Sequence, residues 1–222
     1  MFASFEMNTN IEQSYSYILN LEFEKANILL VKEELENPSN GFIPLHKNYI
    51  DFLKIFIDEE LNYFKSHKHL KNKRLELLDQ NDKNSPYYLY SKAEIILQWA
   101  FARLKFEEYT VASYEFIKAY KLIKENQKKF PDFSLNNKIL GLVHVLLGTV
   151  PSEFHWILDI AGLEGGIAVG MNELDAVLND DDLVMYEIEV LFLLSFLQSN
   201  LGSNDIFSRK YLDRIGDRYK NN

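Results

Sequence analysis

The sequence predicts an all-α fold assembled from antiparallel helix pairs, and three observations predict it. Apolar residues recur at helical spacing along most of its 222 residues. Only nine glycines and five prolines occur, which favours long helices over a sheet-rich fold with many turns. In one stretch, Tyr87 to Pro131, spacing and residue type together specify two helices and the turn that joins them.

That stretch follows Ser85-Pro86, an N-cap and a first-turn proline. Ala93, Ile96, Leu97, Ala100, Phe101 and Leu104 then fall at helical spacing through Lys105. Phe106-Glu107-Glu108-Tyr109 makes the turn. The second helix carries Val111, Ala112, Tyr114, Phe116, Ala119, Tyr120 and Ile123 before Pro131 ends the unit. Ala100, Ala112 and Ala119 put a methyl where two backbones must approach closely, with Phe116 filling the space beside them.

Residues 9 to 38 give a first pair. Ile11, Tyr15, Ile18 and Leu19 line one helix, Asn20-Leu21-Glu22 turns, and Phe23 to Leu35 forms the second, closed by Pro38. The phrase from Leu21 to Ala26 echoes the one from Lys105 to Ala112: a short acidic turn leads into a packing alanine. Ala26 and Ala112 are 86 residues apart. One unit between them makes the period about 43, longer than the ~34 of a standard 34-residue repeat, so the units are irregular. The intervening unit is expected to hold a long helix from about Pro44 to Ser66 and a shorter one from Leu70 to Leu78. It must pack without alanine, since none lies between Ala26 and Ala93. Asn40-Gly41 breaks the chain ahead of it.

A third pair begins at Leu135, with Gly141 as the small residue of its first helix; the repeat spacing then reaches Glu153 and fails. After Gly148-Thr149-Val150-Pro151, Ser152 caps a helix, and Gly162, Gly165, Gly166 and Gly170 follow. Their spacing fits neither a P-loop nor a dinucleotide fingerprint. The reading is a helix C-cap at Gly162, with Gly166 and Gly170 letting a helix pack closely. Leu183 to Leu201 has the length of a membrane span. Glu187 and Glu189 oppose that, since each carboxylate at mid-bilayer costs on the order of 2 to 3 kcal/mol, so the window reads as a core helix. Asn179-Asp180-Asp181-Asp182 lacks the alternation of a calcium loop and suits a helix start. A final helix is expected from Ser203 to Tyr219, and the chain is expected to be a single helical domain, residues 1 to 222, of a longer protein.

The pairs resemble the tetratricopeptide repeat (TPR), whose second helix carries an alanine followed four residues on by a phenylalanine, here Ala112 and Phe116. Ala100 stands where that family has glycine, Trp99 where it has leucine, and Arg103 replaces its tyrosine. In the first pair Ser14, Ala26 and Pro38 fall at the repeat spacing, Tyr17 holds the tyrosine slot and Glu33 departs from the pattern. The phrases from Tyr87 to Leu122 and from Lys128 to Pro151 are similar to a group of uncharacterised bacterial cell-envelope TPR-like proteins. The resemblance implies an irregular TPR-like α-solenoid of about ten helices in the periplasm or cell envelope. The N-terminus MFASFEMNTNIEQ itself is not an intact signal peptide.

By that resemblance the face lining a partner groove is Glu94, Leu97, Phe101 and Lys105, with Ile11 and Tyr15 in the first unit. The expected role is a non-catalytic scaffold for a protein or peptide, or for a second copy of the chain. These positions are unusually apolar, so either an apolar segment of a partner lies there or the protein's own later helices fill the groove; Leu135, Leu142 and Val145, which continue the stripe, favour the second. A net charge of −9 gives no footprint for a phosphate backbone, which excludes nucleic acid as the expected partner. The absence of cysteine removes disulfide and thiolate chemistry. The basic run KSHKHLKNKR, residues 65 to 74, reads as a solvated face balancing Asp58, Glu59 and Glu60. His67 and His69 lack a third ligand, so no metal and no cofactor is expected. His144 reads as a satisfied core histidine. The alternative to a scaffold is an enzyme with Glu153 and His155 as a general acid/base pair beside the glycine-rich segment.

Overall fold

Residues 4–152, 155–201 and 211–216 are described by the computed structural model, and every regular element among them is helical. The chain divides at Pro131, giving the units Met1–Pro131 and Asp132–Asn222.

In the first unit Asn8 caps helix α1, Thr9–Leu19, its Oδ1 accepting from Ile11 N at 3.2 Å. Leu21 then adopts a left-handed backbone at φ 61, and α2 runs Phe23–Glu36. Helices α3, Phe42–Asp58, α4, Leu61–His67, and α5, Leu70–Leu78, follow. Ser85 Oγ accepts from Tyr87 N at 3.3 Å and Pro86 opens α6, Pro86–Lys105, which turns through Glu107 into α7, Tyr109–Lys129.

The two hairpins α1/α2 and α6/α7 are each closely packed, and Ala26 and Ala112 are fully buried in them. The expected helix from Pro44 to Ser66 is broken: α3 ends at Asp58, Glu59 is left-handed at φ 55 and Glu60 is extended. Asp58, Glu59 and Glu60 place three carboxylates where the helix dipole is negative, which disfavours continuation. The shortened α3 packs against α1, α2, α5 and α6. It is the helix on which the unit's interior is built.

In the second unit α8 is Asn136–Gly148, α9 His155–Ala161, α10 Ile167–Leu178 and α11 Glu187–Asn200, with a 3-10 helix at Asp181–Tyr186 and helical residues 211–216. The packing partner of α8 is α10. A Cβ on Gly141 would lie 2.7 Å from the Gly170 carbonyl oxygen, and one on Gly170 would lie 2.6 Å from Val145 N. The two backbones meet where neither residue has a side chain. Gly162, at φ 66, closes α9 as a Schellman motif: Leu163 N donates to Leu158 O (2.9 Å) and Gly162 N to Asp159 O (3.1 Å). Gly166 differs from the sequence reading, for its Cβ position is open and it sits extended ahead of α10. The apolar window from Leu183 begins in the 3-10 helix and becomes α-helical only at Glu187 in α11, and no helix among the described residues is long and apolar enough to cross a membrane. Of the helix expected over Ser203 to Tyr219, residues 211–216 are helical and the rest lies outside the described residues.

Candidate interaction site

Of the six residues expected to line a groove, Tyr15, Glu94 and Lys105 meet residues of α3 or its C-terminal turn. Glu94 accepts from Tyr49 OH at 2.7 Å and from Gln98 Nε2 at 3.1 Å. Lys105 donates to the Phe56 carbonyl at 2.8 Å, pairs with Glu59 at 2.7 Å and lies over the Phe56 ring. Tyr15 packs edge-on against Tyr49 and tilted against His46, with centroids 5.8 and 5.5 Å away. Ile11 and Leu97 are buried, and Phe101 is half-buried. The helix that meets Tyr15, Glu94 and Lys105 precedes α6 in the chain.

Beneath α3 a polar chain crosses the interior. Asn48 Nδ2 donates to Gln98 Oε1 (2.7 Å), while Asn48 Oδ1 accepts from Trp99 Nε1 (2.8 Å) and Arg74 Nη1 (2.9 Å). Arg74 also pairs with Asp51, which accepts from Tyr63 OH at 3.0 Å. Burial first, and the Asp51 carboxylate second, raise the Tyr63 phenol above its ordinary value. Part of the basic run therefore turns inward. Arg74 is buried with Asp51, and Lys71 reaches Glu115, which also accepts from Arg103 Nε at 2.9 Å. Sequence reasoning had these cations in solvent; their acidic partners sit 23 and 44 residues away, beyond any local pattern.

Ser14 Oγ and His46 Nδ1 lie 2.8 Å apart, both buried. The resemblance to a nucleophile and base ends there, because the hydroxyl donates to Ile11 O (2.8 Å) and burial pushes the imidazole down to about 3, which makes it a poor proton acceptor. In the second unit His144 Nδ1 meets Glu173 at 2.6 Å, a partnered histidine as the sequence reading had it. Glu153 and the side chain of His155 lie outside the described residues. Among the described residues no group of three or more His, Cys, Asp or Glu could hold a metal ion.

The residues that sequence reasoning missed lie ahead of α1. Segment 4–8 lies against the start of α3. Asn40 takes its backbone in both directions: Glu6 N donates to Asn40 Oδ1 (3.2 Å) and Asn40 Nδ2 donates to Glu6 O (2.8 Å). The orientation of that amide is fixed, since Oδ1 also receives Phe42 N (3.2 Å) and Nδ2 also donates to Glu33 Oε1 (2.8 Å). Gly41 N donates to Ser4 O at 3.0 Å. With its amide turned so that nitrogen faces them, Asn81 donates to the carbonyls of Ser4 (3.1 Å) and Ser39 (3.2 Å). The half-buried Phe5 ring lies 5.5 Å from Phe42 and 6.0 Å from Tyr87, over the space where a Gly41 Cβ would stand. Asn37 Nδ2 donates to the Glu6 carboxylate at 2.9 Å.

Glu33 anchors this cradle. It is buried and accepts from Asn8 (2.8 Å), Asn10 (3.1 Å) and Asn40 (2.8 Å). Burial acts to raise its carboxyl, but these amide donors outweigh it and hold the group below its ordinary value. Its departure from the repeat pattern was the one sequence signal of the site, for a carboxylate in a packing position demands donors. Asn-Gly at 40 and 41 reads as a turn, which hides the clamp.

No protein-family model matches the chain, and no curated protein or solved structure matches it.

Proposed function

We propose that the protein is a non-catalytic interaction scaffold built from TPR-like helix pairs, which binds a protein or peptide. The observation that carries the reading is the correspondence of α1/α2 and α6/α7. Residues 86 apart occupy the same left-handed turn position, φ 61 at Leu21 and at Glu107, ahead of the same buried alanine. The run of neighbouring contacts, α1 with α3 and α3 with α6, supports serial stacking of an irregular solenoid within the first unit. The group's envelope location carries the localisation part of the reading, periplasm or cell envelope, which cell fractionation tests.

Since Ile11, Tyr15, Glu94 and Leu97 are buried, binding is assigned to exposed apolar surface. Ile28 (69 % exposed), Val31 (53 %) and Leu35 (82 %) recur at i, i+3 and i+7 on α2, opposite its buried Ala26 and Leu30. The test compares cross-linked capture from a bacterial envelope extract by the parent and by an Ile28→Asp/Leu35→Asp variant of equal helicity. Loss of a parent-specific partner in the variant supports the scaffold. An identical set of captured proteins, or none with either, overturns it.

A further inference from the structure

We infer that Asn40, Gly41, Phe42, Asn81 and Tyr87 form a binding site for an extended peptide carrying an aromatic residue followed by an acidic one, and that residues 4–8 occupy it in cis. The inference rests on the scaffold reading and assigns it a second, chemically defined site away from the α2 face.

Everything that holds residues 4–6 is recognition chemistry of the kind used for a separate peptide. Their main chain is read at Ser4 O by Gly41 N and Asn81, and at both Glu6 N and Glu6 O by the single amide of Asn40. A side-chain amide that both donates and accepts in this way fixes an extended segment irrespective of its side chains. Selectivity then comes from two subsites. One is the ring slot bounded by Phe42 and Tyr87, floored by Gly41, where any side chain would meet the Phe5 ring 2.7 Å from Cζ. The other is Asn37 Nδ2, which takes the carboxylate of the next residue. Asn40 is buried and rigidly partnered by Glu33, whereas Phe5 is half-buried and Ser4 and Glu6 are exposed. The cradle is therefore fixed and its occupant is peripheral. A segment of matching chemistry in trans competes with an intramolecular one at an effective concentration of order mM.

The probe is a fluorescein-labelled peptide of residues 2–8, FASFEMN, followed by anisotropy against the full chain, a variant lacking residues 1–7, and full-length Phe5→Ala. The two variants with the cis segment removed or weakened are expected to bind the peptide at least about tenfold more tightly than the parent. A peptide with alanine in place of its second phenylalanine is expected to lose that binding. Failure of Phe5→Ala, at parental helicity, to gain affinity overturns the inference even if the truncated variant does not fold. Equal binding by all three proteins also overturns it, by locating the peptide elsewhere. Neither failure touches the scaffold reading, which is tested on the α2 face.

Discussion

Leu21 and Glu107 share one backbone conformation, φ 61, and one set of hydrogen bonds. Glu22 N donates to Tyr17 O at 2.8 Å, and Glu108 N donates to Arg103 O at 2.9 Å. Each is a Schellman closure with a side chain where glycine is the usual residue. A left-handed non-glycine residue costs roughly 1 kcal/mol. Glu107→Gly is therefore expected to raise the thermal midpoint by up to the equivalent of about 1 kcal/mol, with Glu107→Ala giving no such gain. A lower midpoint for the glycine variant in a calorimetric scan would contradict this account of the turn.

The crossing of α8 and α10 has no room for a methyl group at either glycine. Gly141→Ala and Gly170→Ala are each expected to destabilise by about 1 to 3 kcal/mol or more. Gly166→Ala, at an open and extended position, is expected to lie within about 0.5 kcal/mol of the parent. Urea unfolding of the three variants separates the cases, and equal midpoints would show that the helices part easily.

Arg74 tests the interior polar chain. Removing it as Arg74→Leu leaves Asp51 buried without its cation and Asn48 short of a donor, which is expected to cost about 3 to 5 kcal/mol. Lys68 pairs with Glu108 nearer the surface at 3.3 Å, so Lys68→Ala is expected to cost about 1 kcal/mol or less. Similar losses in chemical denaturation would mean that burial does not distinguish the two pairs.

His46 and Glu33 predict two pH windows. The His46 imidazole is held down to about 3 by burial, against about 6.5 in an unfolded chain. The unfolded state thus binds the proton first. The stabilising contribution is complete above about pH 6.5 and shrinks as pH falls from there toward 3. Glu33, held below its ordinary value, contributes above about 4.3 and loses that contribution only as pH falls through its lower folded value. Unfolding free energy measured from pH 7.5 downward should therefore decline already between about pH 6.5 and 5. His46→Gln should flatten that early decline and leave the more acidic one in place.

The helix pairs were legible because their signals are local. Ser85-Pro86, the acidic turns and the alanines all act within one or two helical turns, and the boundaries Thr9–Leu19, Phe23–Glu36 and Pro86–Lys105 fall within a residue or two of the pattern. The break at Glu59 was not legible, since apolar spacing continues across it and the opposing term is electrostatic. The role of α3 was not legible either. Its apolar residues mark a buried face without saying which neighbour they bury against, and the groove positions Glu94, Leu97, Ile11 and Tyr15 came from the resemblance alone.

By itself, the sequence determined the all-α class, the two similar hairpins and the small-residue contacts at Ala26, Ala112 and Gly141, because backbone capping and periodic burial are set by near neighbours. Only the tertiary structure decided which helix covers which face, that Arg74 and Lys71 point inward, and that Asn40 holds residues 4–8. Those outcomes depend on partners 23 to 44 residues apart, such as Arg74 with Asp51, Asn40 with Glu6 and Lys71 with Glu115. Hydrogen-bond demand specifies that a buried polar group has a partner; the fold alone specifies which one.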